Sequence, residues 1–152
     1  MGKENNMSRE IKWLVVHCSA SQQTATVASI QRYWKEKLGW KNPGYHILIS
    51  PDGTKNKLQP EQLPSNGVGG GYNTNSLHVC YIGGINELGK GIDNRTDAQK
   101  KAIIEVLTAW KKQHPNAEIL GHRDFWYKYK YQGARKACPC YDAIDEYKTI
   151  YG

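Results

Sequence analysis

Two quotations from the last third of the chain decide its reading: Gly121-His122-Arg123-Asp124 and Lys136-Ala137-Cys138-Pro139-Cys140. Between them runs a tract rich in tyrosine and lysine. Ahead of the first lies Ala117-Glu118-Ile119-Leu120, a short apolar stretch that reads as a strand ending at Gly121. A histidine just past a strand and a thiol soon after it are soft and borderline donors of the kind zinc takes. A catalytic zinc commonly has three protein ligands and leaves a fourth position for water. His122 and Cys138 supply two. The best third candidate is His17, which closes the apolar, β-branched run Ile11-Lys12-Trp13-Leu14-Val15-Val16-His17-Cys18. This separation is not a zinc-finger spacing, so the metal would tie the two ends of the chain together. A single proline between Cys138 and Cys140 suits a shared ion poorly, so one of the two is expected to ligate. Lys136 would face the group under attack.

The rest of the chain supports a mixed sheet with helices on its faces. Tyr45 to Ser50 reads as a strand, and Pro51-Asp52-Gly53 as the turn of a hairpin whose second arm is Thr54 to Leu58. Leu77 to Ile82 reads as a further strand, stopped by Gly83-Gly84. Thr26 is placed to cap a helix carrying Ile30, Tyr33, Trp34 and Leu38 on one face, with Gly39 ending it. Thr96-Asp97-Ala98-Gln99 is a capping box opening a helix that puts Ala98, Ala102, Ile103, Val106, Leu107 and Trp110 on one side. Tyr141 to Tyr151 reads as a short closing helix. Pro60 to Asn75 is a long glycine-rich loop, and such loops in compact domains are commonly functional.

At 152 residues the chain fits one domain. The division expected is a flexible polar segment over 1–10 and a single domain over 11–152. The formal charge of +7 favours polyanionic partners, whether nucleic acid or an anionic envelope. Ten Tyr and five Trp stand against one Phe, a bias toward half-wet grooves and sugar-stacking surfaces over a dry core. Met1 to Glu10 has no apolar signal core, and no apolar run approaches the length of a membrane span. A cytoplasmic origin with reduced thiols is therefore expected, with Cys18 and Cys80 as buried structural residues. His46, His78 and His114 read as structural or surface residues. In an extended conformation the tract Trp126 to Tyr131 would alternate Trp126, Lys128 and Lys130 with Tyr127, Tyr129 and Tyr131. It reads as an exposed loop, a groove wall or, last, a nucleic-acid surface.

Seven motifs occur in order: Val15-Val16-His17-Cys18-Ser19-Ala20, Gly44-Tyr45-His46, Ser50-Pro51-Asp52-Gly53-Thr54, Gly71-Tyr72-Asn73-Thr74-Asn75-Ser76, Tyr81-Ile82-Gly83-Gly84, Gly121-His122-Arg123-Asp124 and Lys136-Ala137-Cys138-Pro139. Together they resemble the zinc-dependent N-acetylmuramoyl-L-alanine amidases of the phage-lysozyme and peptidoglycan-recognition-protein type. The resemblance implies a central mixed β-sheet flanked by helices, with a single zinc in an open groove. It implies His17, His122 and Cys138 as ligands, and Tyr45 and Lys136 as catalytic positions. The implied activity is hydrolysis, by zinc-activated water, of the amide between N-acetylmuramic acid and L-alanine in peptidoglycan. The implied partner is a muropeptide, with no nucleic acid and no membrane. The enzyme would act as an endolysin on the wall after release from the cytoplasm, with phage, prophage and host origin all open, and a monomer is the default for its size. Two alternatives stand beside it: a peptidoglycan-binding module that does not cut, normally marked by loss of the cysteine ligand, and a basic nucleic-acid-binding protein. One departure is visible. Relatives commonly carry a histidine shortly before the Gly-Tyr-Asn motif, where this chain has Val68 or Gly69. Altered grip on the glycan or stem peptide is expected from it, with the ligand positions intact.

Overall fold

The computed structural model describes residues 9–69, 71–129 and 137–151. Its sheet has five strands: β1 Trp13–Cys18, β2 Ile47–Ile49, β3 Lys55–Lys57, β4 Ser76–Tyr81 and β5 Glu118–Gly121. Their order across the sheet is β3-β2-β4-β1-β5. β1 runs parallel to both β4 and β5, and β2 parallel to β4, while β3 returns antiparallel through the Pro51-Asp52-Gly53 turn. The sheet is mixed, as the alternation of elements implied.

Among the described residues four α-helices pack around it: α1 Val27–Glu36, α2 Asp97–Gln113, α3 His122–Tyr129 and α4 Ala143–Glu146. Both capping residues act as the sequence requires. Thr26 accepts from the Ser29 amide while the Ser29 hydroxyl accepts from Thr26 N, and Thr96 and Gln99 do the same at α2. Substituting such a cap costs about 1 kcal/mol.

Period-two alternation assigns the faces. Leu14, Val16, Cys18, Ile47, Ile49, Leu77, Val79, Tyr81 and Ile119 point to one side, where Ile103, Val106, Leu107 and Trp110 of α2 cover them. The intervening residues point to the other side. There Leu48 and Cys80 meet Ile30 and Trp34 of α1, and Val15 and Leu120 meet Phe125 of α3. Burying each such aliphatic side chain is worth roughly 1.5–3 kcal/mol. His17 of β1 and His78 of β4 belong to this second face, because Val15↔His78 and His17↔Cys80 are register partners.

Several expectations need correcting. α1 ends at Glu36, and Tyr33 and Leu38 are exposed, so its buried face is Ile30 and Trp34 alone. Ala98 lies on the exposed side of α2. The tract beginning at His122 is helical through Tyr129, neither loop nor strand. Phe125 and Tyr129, one helical turn apart, join Trp13 and Tyr72 in an aromatic cluster, and tertiary packing overrides the local alternation. Lys130 and Tyr131 lie outside the described residues. The closing helix is two short pieces, α4 and a 3-10 turn over Lys148–Tyr151. Arg9 forms hydrogen bonds to the carbonyls of Asn73, Thr74 and Glu61, and residues 1–8 lie outside the described residues. Among the described residues no helix is long and apolar enough to cross a membrane.

Candidate metal centre

His17 sits one residue before the end of β1 and is 1% exposed. His122 is the first residue of α3, directly after β5. Since β5 pairs with β1, the two imidazoles are neighbours, with ring centroids 4.9 Å apart. Cys138 reaches the same point by a chain of backbone constraints. Its carbonyl accepts from Arg123 N at 2.9 Å, and its Sγ accepts from Cys18 N at 3.1 Å. Pro139 then packs on Gly121, where a Cβ would lie 2.6 Å from its Cδ. Any side chain at position 121 would force Pro139 and the cysteine loop to shift. The Cys138–Pro139 bond is cis, and the Tyr81 hydroxyl donates to Pro139 O at 2.7 Å.

One donor atom from each of His17, His122 and Cys138 lies within 4.8 Å of the others. The Nδ1 of His17 is 3.8 Å from Cys138 Sγ. A tetrahedral zinc with bonds of about 2.0–2.3 Å spaces its ligand atoms roughly 3.3–3.8 Å apart. The cluster can therefore close on zinc with sub-ångström to ångström adjustments, and two imidazoles with one thiolate suit that ion. Burial, followed by the neighbouring imidazoles of His122, His78 and His46, holds the His17 pKa well below its usual value. A neutral imidazole is the form that binds metal.

Tyr45 stands beside this cluster. Its ring centroid is 4.9 Å from that of His17 and 5.4 Å from that of Trp34, and its hydroxyl is 3.5 Å from Cys18 O. Burial, then the sulfurs of Cys80, Cys138 and Cys18, push the phenol pKa well above normal. Tyr45 thus keeps its proton, and its hydroxyl is available as a hydrogen-bond donor. Lys136 lies outside the described residues.

A groove of about 740 Å³ opens over the cluster. Its floor includes Cys18, His122 and Cys138, and Tyr33, Trp34, Leu38 and Trp40 form an apolar wall. Tyr33 of α1 and Leu38 just beyond its end, the two side chains that fail to bury, therefore line the groove. Cys140 turns away: its Sγ donates to Gly84 O at 3.4 Å and lies 3.9 Å from Cys18 Sγ. All four cysteines are free thiols, with Cys18 and Cys80 buried as expected. His78 was legible only as a strand residue, yet it is fully buried with Nδ1 2.8 Å from His17 Nε2. Two histidines on neighbouring parallel strands, both at inward positions of the period-two pattern, were the available signal.

Comparison with known proteins agrees with this geometry. The family profile described as N-acetylmuramoyl-L-alanine amidase matches residues 7–141. The endolysin of Klebsiella phage KP32 is 35% identical over 135 residues, covering 88% of this chain and 83% of that protein. Among solved structures, the Ph2119 endolysin from Thermus scotoductus MAT2119 bacteriophage Ph2119 superposes with a TM-score of 0.74 at 22% identity, covering 95% of this chain and 87% of that one. Drosophila peptidoglycan recognition protein SA superposes at 0.66 with 18% identity, covering 93% and 79%. These structures share the fold, as the motifs led one to expect. On the extent and continuity of the sequence match, the chain belongs to the N-acetylmuramoyl-L-alanine amidase family.

Proposed function

We propose that this peptidoglycan hydrolase, of the N-acetylmuramoyl-L-alanine amidase type, works with one zinc ion held by His17, His122 and Cys138. The bond cut is the amide joining the lactyl group of N-acetylmuramic acid to L-alanine. The observation that carries the reading is the convergence of those three donors, from β1, the head of α3 and the cysteine loop, beneath an open groove that His122 and Cys138 line. When bound, the ion supplies a Lewis acid and lowers the pKa of a coordinated water to about 7.

The chain's own residues supply the remaining requirements. Amide hydrolysis needs a proton for the departing amine and charge compensation at the carbonyl oxygen. The Tyr45 hydroxyl, kept protonated beside His17, is proposed to orient the water or to relay a proton. Lys136 is proposed to compensate the developing oxyanion as a point charge. Trp34, Trp40 and Tyr33 give the substrate an apolar wall that excludes water from one side of the groove. The chain's relatives include phage endolysins, which supports action on the cell wall after release.

The test joins a metal assay to digestion of purified muropeptides. The wild-type chain is expected to retain zinc through gel filtration and to release stem peptides with a free L-alanine amine, identified by mass. Cys138→Ala should lose both the metal and the cleavage. Cleavage at full rate by metal-free protein would overturn the zinc reading. Binding of muropeptide with no new amine would overturn the catalytic one.

A further inference from the structure

We propose that His78 is the positioning residue for His17: it takes the Nε2–H of His17 and so leaves Nδ1, on the side of Cys138 Sγ, as the ligating atom. The inference rests on the zinc reading above and goes beyond it in assigning which nitrogen binds and what decides it.

The assignment follows from a chain of hydrogen bonds read from its outer end. The backbone N–H of Val68 donates to Asn73 Oδ1 at 2.9 Å, which identifies that atom as the amide oxygen. His78 Nε2 lies 3.0 Å from the same oxygen. An oxygen cannot donate here, so Nε2 of His78 carries the hydrogen. His78 is fully buried, and among the described residues no carboxylate is hydrogen-bonded to its ring. An imidazole in such a place is neutral, because a buried unpaired charge is costly. Its Nδ1 is therefore a lone pair. That lone pair faces His17 Nε2 at 2.8 Å, so the hydrogen of His17 sits on Nε2 and its own lone pair on Nδ1. Nδ1 is the atom 3.8 Å from Cys138 Sγ. A backbone amide in the Val68 loop thus sets the tautomer of a side chain two imidazoles away.

The surroundings keep this order in place. The backbone N–H of His78 donates to His46 Nδ1 at 3.0 Å, which fixes the strand position from which the ring projects. Gly67 covers the ring so closely that a Cβ there would lie 2.4 Å from His78 Nδ1. The bare glycine at 67 is what lets a histidine from β4 reach His17. Partners of metal-bound histidines are commonly worth 10–100-fold in metal affinity.

Zinc affinity is to be measured by competition with a chromophoric chelator, alongside the visible spectrum of the cobalt-loaded protein. His78→Leu, which fills the space without an acceptor, should weaken zinc about 10–100-fold and shift the cobalt bands. His78→Gln retains an acceptor oxygen and should recover most of that loss. Asn73→Ala, a milder change outside the strand, frees the His78 ring to adopt the other tautomer and should weaken zinc several-fold; it serves if His78→Leu does not fold. Folded His78→Leu that binds zinc as wild type does would overturn the inference and leave the zinc reading standing. Equal losses in His78→Leu and His78→Gln would reduce His78 to a space-filling role and overturn it as well. Wild-type protein that takes up no zinc would sink both readings together.

Discussion

Tyr45 and His46 are adjacent in sequence and do different work, because the strand start turns them to different sides. Tyr45 faces the groove beside His17, and its phenol stays protonated. Tyr45→Phe removes the hydroxyl and keeps the ring's packing on Trp34. We expect kcat on muropeptides to fall about 100-fold or more with zinc content unchanged; an unaltered kcat would remove the phenol from the mechanism. His46 is buried, and both ring nitrogens are engaged in the neutral form. Nδ1 accepts from His78 N, and Nε2 donates to Leu63 O at 2.8 Å, with the Arg9 guanidinium and Trp110 also packed near. Burial lowers its pKa to about 4, an effect partly opposed by the Leu63 carbonyl and reinforced by the Arg9 charge. The unfolded chain gains a proton here near pH 6.5. The folded chain does not gain it until about pH 4. Between those values the unfolded state binds more protons, so stability is intact above pH 6.5 and drains as pH falls. The expected loss is on the order of 3 kcal/mol by pH 4. Urea midpoints at pH 7.5, 5.5 and 4.5 check this: the slope should be flatter in His46→Gln than in wild type.

Among the elements, the C-terminal pieces are too short to hold themselves in place, and a buried arginine does it for them. Arg95, just before the α2 cap, has a side chain only 3% exposed. It bonds Asp93 at 2.8 Å and Glu146 of α4 at 2.5 Å, and its guanidinium lies 3.4 Å over the Tyr141 ring. Arg95→Met should cost about 3 kcal/mol, because the planar fork, the stacking and two carboxylate bonds go together. That corresponds to a Tm fall of roughly 6–12 °C; a melting curve superimposable on wild type would show that α4 is held otherwise. The elements differ in how far the sequence announced them. β1 and α2 were readable because an apolar run and a capping box each name one structure. α3 was not, since Trp126-Tyr127-Lys128-Tyr129 alternates as a strand would. What makes it helical is distant: the pocket of Trp13 and Tyr72 that receives Phe125 and Tyr129, whose hydroxyl takes the Trp13 Nε1 hydrogen at 3.2 Å. The candidate metal donors were legible as motifs. The His78 support was hidden, because its meaning lies in strand register and not in neighbouring residues.

Taken whole, the molecule brings its candidate ligands from widely separated parts of the chain, so metal uptake and folding should be linked. An ion that binds only the native arrangement stabilises it by RT ln(1 + [L]/Kd), about 2.7 kcal/mol at a hundredfold excess over Kd. Thermal melts should therefore rise with zinc and fall with a chelator. In Cys138→Ala neither addition should move Tm. A chelator-insensitive wild-type Tm would mean that the donors do not close on an ion in the native state.

The place of β1 in the sheet carries one more consequence. The ribosome delivers this strand early, yet its two neighbours are β4 and β5, and β5 and Cys138 are made late. Until the last third of the polypeptide has emerged, His17 lacks its two fellow donors and the groove lacks His122 and Cys138 from its floor. On the zinc reading proposed above, a product that stops short of Cys138 lacks one of its three donors and is expected to show no wall lysis.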